Sequence, residues 1–296
     1  DVDQPVDWIV HPDHRRQGIF SEMTTFLLER YDDADLLFNF PNDALRPGLE
    51  QFDWTVAGEV SMSYRVQRPS FLLSLSGSGG ALEGVLSATL DAGANAAVAL
   101  LDRVGTPPSD VTVERHSDVP VETLADLYAS TVPERIHVPR DEAFLDWRFE
   151  NPRWDTTTYV ALRDGTPVGS VVAATEQYGT CVRTHLLDVQ PMDGFGPGTS
   201  PDVFEALLSA VVTDHRSVDV LRAPTMGASG LLRRYGFLPD SAFPLSRVVD
   251  PSTHVVRPLW DAEHGAPITD REFDVDGSGL LDSEAWILLP ADLDIG

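Results

Sequence analysis

Two stretches of this chain, residues 7–56 and 182–240, pass through the same succession of patterns. Each runs from a strand through a proline-containing turn into an amphipathic helix, then a short strand, a short helix, and an aromatic that follows a small residue. Val10-His11-Pro12 matches Val189-Gln190-Pro191, and Phe52-Asp53-Trp54 matches Tyr235-Gly236-Phe237. Two diverged copies of one unit account for this most simply. The strand–helix–strand order of each copy places both in the α/β class, with mixed sheets and helices on both faces. At 296 residues the chain is long enough for two domains with cores of their own.

Periodicity fills in the order. The first copy predicts a strand at 7–11, a helix near 17–31, a strand at 34–40, a helix over about 43–52 and a strand at 55–66 that ends before Arg68-Pro69. Ser74 to Gly80 is small and polar enough for a flexible joint. Leu82, Val85, Leu86, Leu90, Ala94, Ala97, Val98 and Leu101 recur at helical spacing, and Thr106-Pro107-Pro108-Ser109 stops that helix. Beyond Val111 the patterns predict a strand at 111–115, helices at 121–130 and 141–149, and strands at 159–163 and 167–177 joined by a tight turn on Asp164-Gly165. Strand 182–189, helix 201–214, strand 218–222, helix 227–235 and closing strands follow. The expected division is therefore a partial domain at 1–69, a connector at 70–109 and a second domain at 110–296.

Charge narrows the function classes. The chain has 47 acidic and 21 basic residues, a net charge of −26, and every basic residue is Arg. Nucleic-acid and anionic-membrane surfaces need a positive field, so neither partner is expected. Abundant carboxylates without Lys resemble the proteins of extreme halophiles, where concentrated salt screens self-repulsion. Cys181 is the single cysteine, which excludes an internal disulfide framework and a thiolate metal cage. No basic-then-apolar leader is expected, and no run reaches the roughly 18 apolar residues of a membrane span. The expected compartment is the cytoplasm, and no metal site is expected.

The chemistry concentrates at Val10-His-Pro-Asp-His-Arg-Arg-Gln-Gly-Ile-Phe20. A strand that turns through Arg15 and Gly18 into a helix can grip a pyrophosphate. Unpaired N–H groups of the first turn, the positive end of the helix dipole and guanidinium groups all converge there. The pattern Arg/Gln-x-x-Gly-x-Gly/Ala after a strand, here Arg15-Arg16-Gln17-Gly18-Ile19-Phe20, resembles the acetyl-CoA signature of the GNAT acetyltransferase superfamily. The likeness extends through Phe40-Pro41-Asn42, Pro47-Gly48 and the strand after Trp54, over some sixty residues. Phe20 departs from it, standing where Gly or Ala is commonest.

The resemblance implies two tandem GNAT-like acyltransferase folds of haloarchaeal type, the first without its leading strands. It implies acetyl-CoA as cosubstrate and an amine, on a small molecule or a peptide, as acceptor. The N–H groups of Arg16, Gln17, Gly18, Ile19 and Phe20 would hold the pyrophosphate with Arg15. The backbone of Ile9 and Val10 would bond the pantetheine arm where two strands splay, and Asn42 would stand near that arm or simply cap the next helix. The family's Tyr acid has no counterpart: Leu49 stands about where it is expected. Glu50 and His14 are able to move protons but are expected on the surface, so no catalytic residue is assigned.

Three strands and two helices precede the motif strand in a GNAT domain, and only about six residues do here. Either more chain or a second chain, as in a homodimer, is expected to cover that strand's open edge. The second copy has the longer turn Pro191 to Ser200, with Asp193 and Pro197 unsuited to phosphate, and is expected to keep the fold without the cofactor. In Arg140 to Phe149, which resembles a segment of tandem superfamily members, Trp147 and Phe149 are expected in the core and Arg148 in an ion pair or a substrate contact. Asp274-Val-Asp276-Gly-Ser278-Gly279 imitates a calcium loop, but Ala285 replaces its bidentate Glu, the run 285–289 looks like a strand, and an acidic turn is expected instead. His254 and His264 stand alone. Two alternatives to the acetyltransferase reading are a non-catalytic acyl-CoA-binding or interaction protein, and an aminoacyl-tRNA-dependent transferase, which the charge of −26 opposes.

Overall fold

The computed structural model describes residues 2–6, 8–30, 34, 36–68, 110–179, 181–193, 201–225, 229–247, 249–259, 274–275 and 278–293. The expected joint and connector helix at 70–109, the glycines at 194, 196 and 198, Asp276 and His264 lie outside the described residues. In chain order the elements are β1 (Val2–Asp3), α1 (Ile19–Leu28), β2 (Leu36–Asn39), α2 (Arg46–Glu50), β3 (Thr55–Val60), β4 (Met62–Val66), β5 (Val111–His116), α3 (Val121–Ser130) and α4 (Glu142–Phe149). Then follow β6 (Asp155–Arg163), β7 (Thr166–Tyr178), β8 (Cys181–Gln190), α5 (Pro201–Asp214), β9 (Val220–Pro224), α6 (Ser229–Arg234), β10 (Leu238–Pro239), β11 (Ser252–Pro258), β12 (Asp274–Val275) and β13 (Ser278–Gly279).

These elements divide into two compact units, one of residues 1–60, 252–286 and 293–296 and one of 61–251 and 287–292. The linear division expected from sequence does not describe the sheets. Residues 55–66 form two strands broken at Ser61, with β3 in a four-stranded sheet and β4 in a seven-stranded one. Asp240 fixes the break: its Oδ2 accepts from the Met62 N–H at 2.7 Å and its Oδ1 from the Ser61 hydroxyl. Conversely β11, expected to close the second domain, pairs antiparallel with β2 and β3 and completes the first sheet.

The larger unit is a sheet in the order β10-β4-β9-β8-β7-β6-β5. Its hairpin β6–β7 turns on Asp164 and Gly165, at φ 52° and 78°, the left-handed pair that a two-residue turn requires. All neighbours are antiparallel except β8 and β9, which α5 joins as parallel strands. On one face Val171, Ala173, Leu186 and Leu221 pack against Phe204, Leu207, Leu208 and Val211 of α5. The α4 helix begins where the Asp141 carboxylate accepts from the Phe144 N–H at 2.8 Å. Its buried side chains are Leu145 and Phe149, four apart, so Trp147 falls on the other side and is 71% exposed, contrary to the core position expected of it.

The smaller unit is the sheet β1-β2-β11-β3. Here β1 and β2 are parallel, pairing Val2 with Leu36 and Asp3 with Leu37. Leu37, Leu49, Trp54 and Val255 form its core with Trp8, Phe20 and Phe52 packed on it. The strand expected at 7–11 is not formed: pairing stops at Asp3, and residues 8–11 belong to no ladder. The run 285–289 is likewise no strand. It begins in a 3-10 turn capped by the Asp282 carboxylate, which accepts from the Glu284 N–H at 2.9 Å, so Asp282 of the calcium-like loop serves as a cap.

Candidate functional site

Each unit contains a helix that links two parallel strands, β1–α1–β2 in the smaller and β8–α5–β9 in the larger. In both, the ladder ends while the chain runs on. The last pair between β8 and β9 is His185 with Arg222, although β8 extends to Gln190 and β9 to Pro224. The two strands thus form a fork whose open arms present unpaired backbone groups.

The first-copy motif occupies the equivalent place in the smaller unit. After β1 the chain stays near β2 only as far as Pro5, whose carbonyl accepts from the Asn39 side-chain amide. Trp8 then turns inward, with ring centroids 5.7 Å from Phe20 and 5.9 Å from Trp54, while Ile9 is 75% exposed. A 3-10 turn over Pro12–His14 leads to Arg15, whose Nε donates to the Val10 carbonyl at 3.1 Å and so ties the start of the turn to its end. Gln17 braces it from Nε2 to the Asp13 carbonyl at 3.2 Å. Arg16 and Gly18 both take left-handed backbone, at φ 61° and 85°. A non-glycine residue there costs about 1–2 kcal/mol, which the surrounding turn must offset.

Gly18 is the residue at which α1 starts, and no side chain caps that end. The first-turn N–H groups therefore have no intrahelical partner. A Cβ built on Gly18 would meet nothing within 4 Å, so the space over the helix start is open, and Arg15, Arg16 and Gln17 are exposed around it. This arrangement fits an anionic group. Of the expected residues, Arg15 through Ile19 lie along this turn, and Ile9 and Val10 lie on the unpaired segment leading to it.

Phe20 and Asn42 have structural tasks. The Phe20 ring lies 6.0 Å from that of Phe52 and fills the space that Gly48 leaves open, where a Cβ would come within 2.9 Å of Phe20 Cε1. This explains the bulky residue in a position where the resemblance leads one to expect Gly or Ala. Gly48→Ala is expected to destabilise the smaller unit by about 1 kcal/mol, since overpacking of about 1–3 kcal/mol outweighs the helix propensity gained. Phe20→Leu in the same chain should restore the urea midpoint. Asn42 caps the turn before α2, its Oδ1 accepting from the N–H groups of Ala44 at 3.1 Å and Leu45 at 3.0 Å.

No protein-family model matches the sequence, and no curated protein matches it. Solved structures do. The chain is similar to a GCN5-related N-acetyltransferase from Anabaena variabilis with a TM-score of 0.54 at 10% identity, over 84% of this chain and 53% of that one. It is also similar to a conserved protein of unknown function from Enterococcus faecalis, described as a probable N-acyltransferase, with a TM-score of 0.50 at 13% identity, over 84% and 52% of the two chains. The fold is that of the GCN5-related N-acetyltransferases. This chain spans about half the length of those similar proteins.

Within this GNAT fold, Leu49 of α2 is fully buried in the core, and Glu50 and His14 are exposed. The second-copy turn starts with Asp193 paired to Arg135 at 2.8 Å. Arg148, expected in an ion pair or a substrate contact, donates from Nε to the Ala291 carbonyl at 2.6 Å and stands 4.7 Å over the Trp154 ring. Among the described residues no group of three or more His, Cys, Asp or Glu side chains is arranged to hold a metal, and no helix is long and apolar enough to cross a membrane.

Proposed function

We propose that the protein is an N-acetyltransferase that binds acetyl-CoA in its smaller unit and passes the acyl group to an amine of a small molecule or peptide. The observation that carries this reading is the turn from Arg15 to Gly18, which opens α1 between two parallel strands with free space above the helix start. In it the N–H groups of Gly18, Ile19 and Phe20 bind the pyrophosphate, reinforced by the helix dipole and by the guanidinium groups of Arg15 and Arg16. The backbone of Ile9 and the N–H of Val10, outside any ladder, would bond an extended arm, while the Val10 carbonyl is taken by Arg15. Acyl-CoA supplies the activated thioester when bound.

A binding protein without turnover is the second reading. Leu49, buried where the resemblance leads one to expect a Tyr acid, favours it. Calorimetric titration with acetyl-CoA in molar salt tests both. The acetyltransferase reading expects saturable binding that Gly18→Glu abolishes, because the new side chain and its charge enter the phosphate space, together with thiol release on adding polyamines or amino sugars. Binding without release over a broad amine panel selects the second reading, and absence of binding rejects both.

A further inference from the structure

A cleft of about 380 Å³ in the larger unit opens between the start of α3, the helix α4 and the first residues of β6, and the acyl-CoA reading does not use it. Helical phase builds it. Leu145 and Phe149 of α4 face inward and form its floor with Trp154, while Asp146 and Glu150, one position after each, stand at its edge. Asp118, between β5 and α3, and Asp155, at the start of β6, add two more carboxylates. All four are exposed, and among the described residues none of them forms an ion pair. No arginine lines the cleft among the described residues, since Arg148 is held against the Trp154 ring and the Ala291 carbonyl.

Charge, floor and a free donor point to one kind of ligand. Asp146 and Glu150 lie four apart at the C-terminal end of α4, where like charges repel and the helix dipole is negative, so a cation offsets both. Among the described residues no three carboxylates are set to hold a metal ion, and the floor beside them is apolar. An organic ammonium suits such a cleft better than a bare ion. The donor is the indole of Trp154, a residue that is only 8% exposed. Its Nε1 meets no acceptor among the described residues, and that nitrogen keeps accessible surface. An ammonium has no lone pair to offer it, whereas a hydroxyl accepts from the indole and donates to a carboxylate at once. The nearly buried N–H therefore selects a ligand that carries an oxygen near its cationic group.

We propose that this cleft binds a small apolar amino alcohol as its ammonium ion, the ammonium between Asp146 and Glu150, the apolar body on Phe149 and Trp154, and the hydroxyl accepting from Trp154 Nε1. The site lies wholly within the larger unit and does not depend on the acyl-CoA reading. The probes are 2-amino-1-phenylethanol, 2-phenylethylamine, which lacks only the hydroxyl, and 1-phenylethanol, which lacks only the amine, each titrated into the full chain at fixed ionic strength. The amino alcohol is expected to bind saturably and roughly tenfold tighter than phenylethylamine, and to shift the indole N–H resonance of Trp154 in the unmodified protein. The neutral alcohol should bind at least tenfold more weakly than either amine. Asp146→Asn with Glu150→Gln should weaken both amines at least tenfold. Glu122→Gln with Asp126→Asn, an exposed pair four apart on α3 outside the cleft, should leave them unchanged. Trp154→Phe keeps a ring on the floor and should remove the preference for the amino alcohol over phenylethylamine. Equal affinity for the two amines, equally tight binding of the neutral alcohol, an unmoved Trp154 resonance, or no saturable binding would overturn the proposal.

Discussion

Replacement of Arg140 by Met is expected to lower the stability of the larger unit by about 3–5 kcal/mol, read as a fall in the urea midpoint. Arg140, Asp188 and Asp292 have side chains closed off from solvent. Arg140 Nε donates to Asp188 Oδ1 at 2.7 Å and Nη2 to Asp292 Oδ2 at 3.0 Å. Nη1 lies 2.7 Å from Asp292 Oδ1 and donates to the Val138 carbonyl at 2.8 Å. Burial alone would pull the arginine's pKa down, but the carboxylates of Asp292 and Asp188 outweigh it and raise it. Burial pushes the Asp188 carboxyl up even though Arg140 opposes the shift. Met in place of Arg140 leaves two buried carboxylates facing each other without their cation. The deficit should shrink as pH falls and the carboxylates protonate. Exchanging all three residues for apolar ones of similar volume should restore most of the loss, because the desolvation cost of the ions disappears with them. A single variant within about 1 kcal/mol of the parent would show that water reaches the group.

His254→Phe should remove a stability loss that the parent protein suffers in acid. His254 is 1% exposed, stacked 5.5 Å from Phe40 and set edge-on 4.7 Å from Trp286, and its Nε2 has no partner. Burial pulls its pKa down from 6.5 to about 4. The unfolded chain therefore takes up this proton before the folded one does. The contribution to stability is complete above pH 6.5, diminishes as pH falls, and is gone below about 4. A shift of this size amounts to about 3 kcal/mol across the window. Carboxylates and the other histidines titrate in parent and variant alike. The difference between their unfolding free energies isolates His254, and it should shift from the parent's favour toward the variant's as pH falls from neutrality to about 4. A constant difference over that range would mean that His254 is hydrated in the folded protein.

What could be read from the sequence was local. The helices Val121–Ser130 and Pro201–Asp214 match their expected bounds because one amphipathic face and a proline at the start suffice to define them. The Asp164-Gly165 turn was legible because its chemistry resides in two adjacent residues. The Arg15–Gly18 turn was legible for the same reason. Pairing across the chain was not. Nothing near 55–66 announces that Asp240, far along the chain, will hold a break at Ser61, and nothing in 252–258 tells which sheet it will join. Trp147 is apolar, but the helical phase set by Leu145 and Phe149 carries it to the exposed side.

The exchange at Ser61 also bears on the order in which the chain can fold. The pairing of β4 with β9 closes a loop from residue 66 to residue 220, and the pairing of β2 with β11 closes one from 39 to 255. Contacts of such separation carry a large loop-closure entropy and form slowly. During synthesis β1, β2 and β3 emerge without β11, and their sheet must wait until residues 252–258 have left the ribosome. The larger sheet, by contrast, has β4 to hand early and can close once β9 is made. The two units are thus interleaved in time as well as in sequence, and the sheet whose strands are translated first is the one completed last.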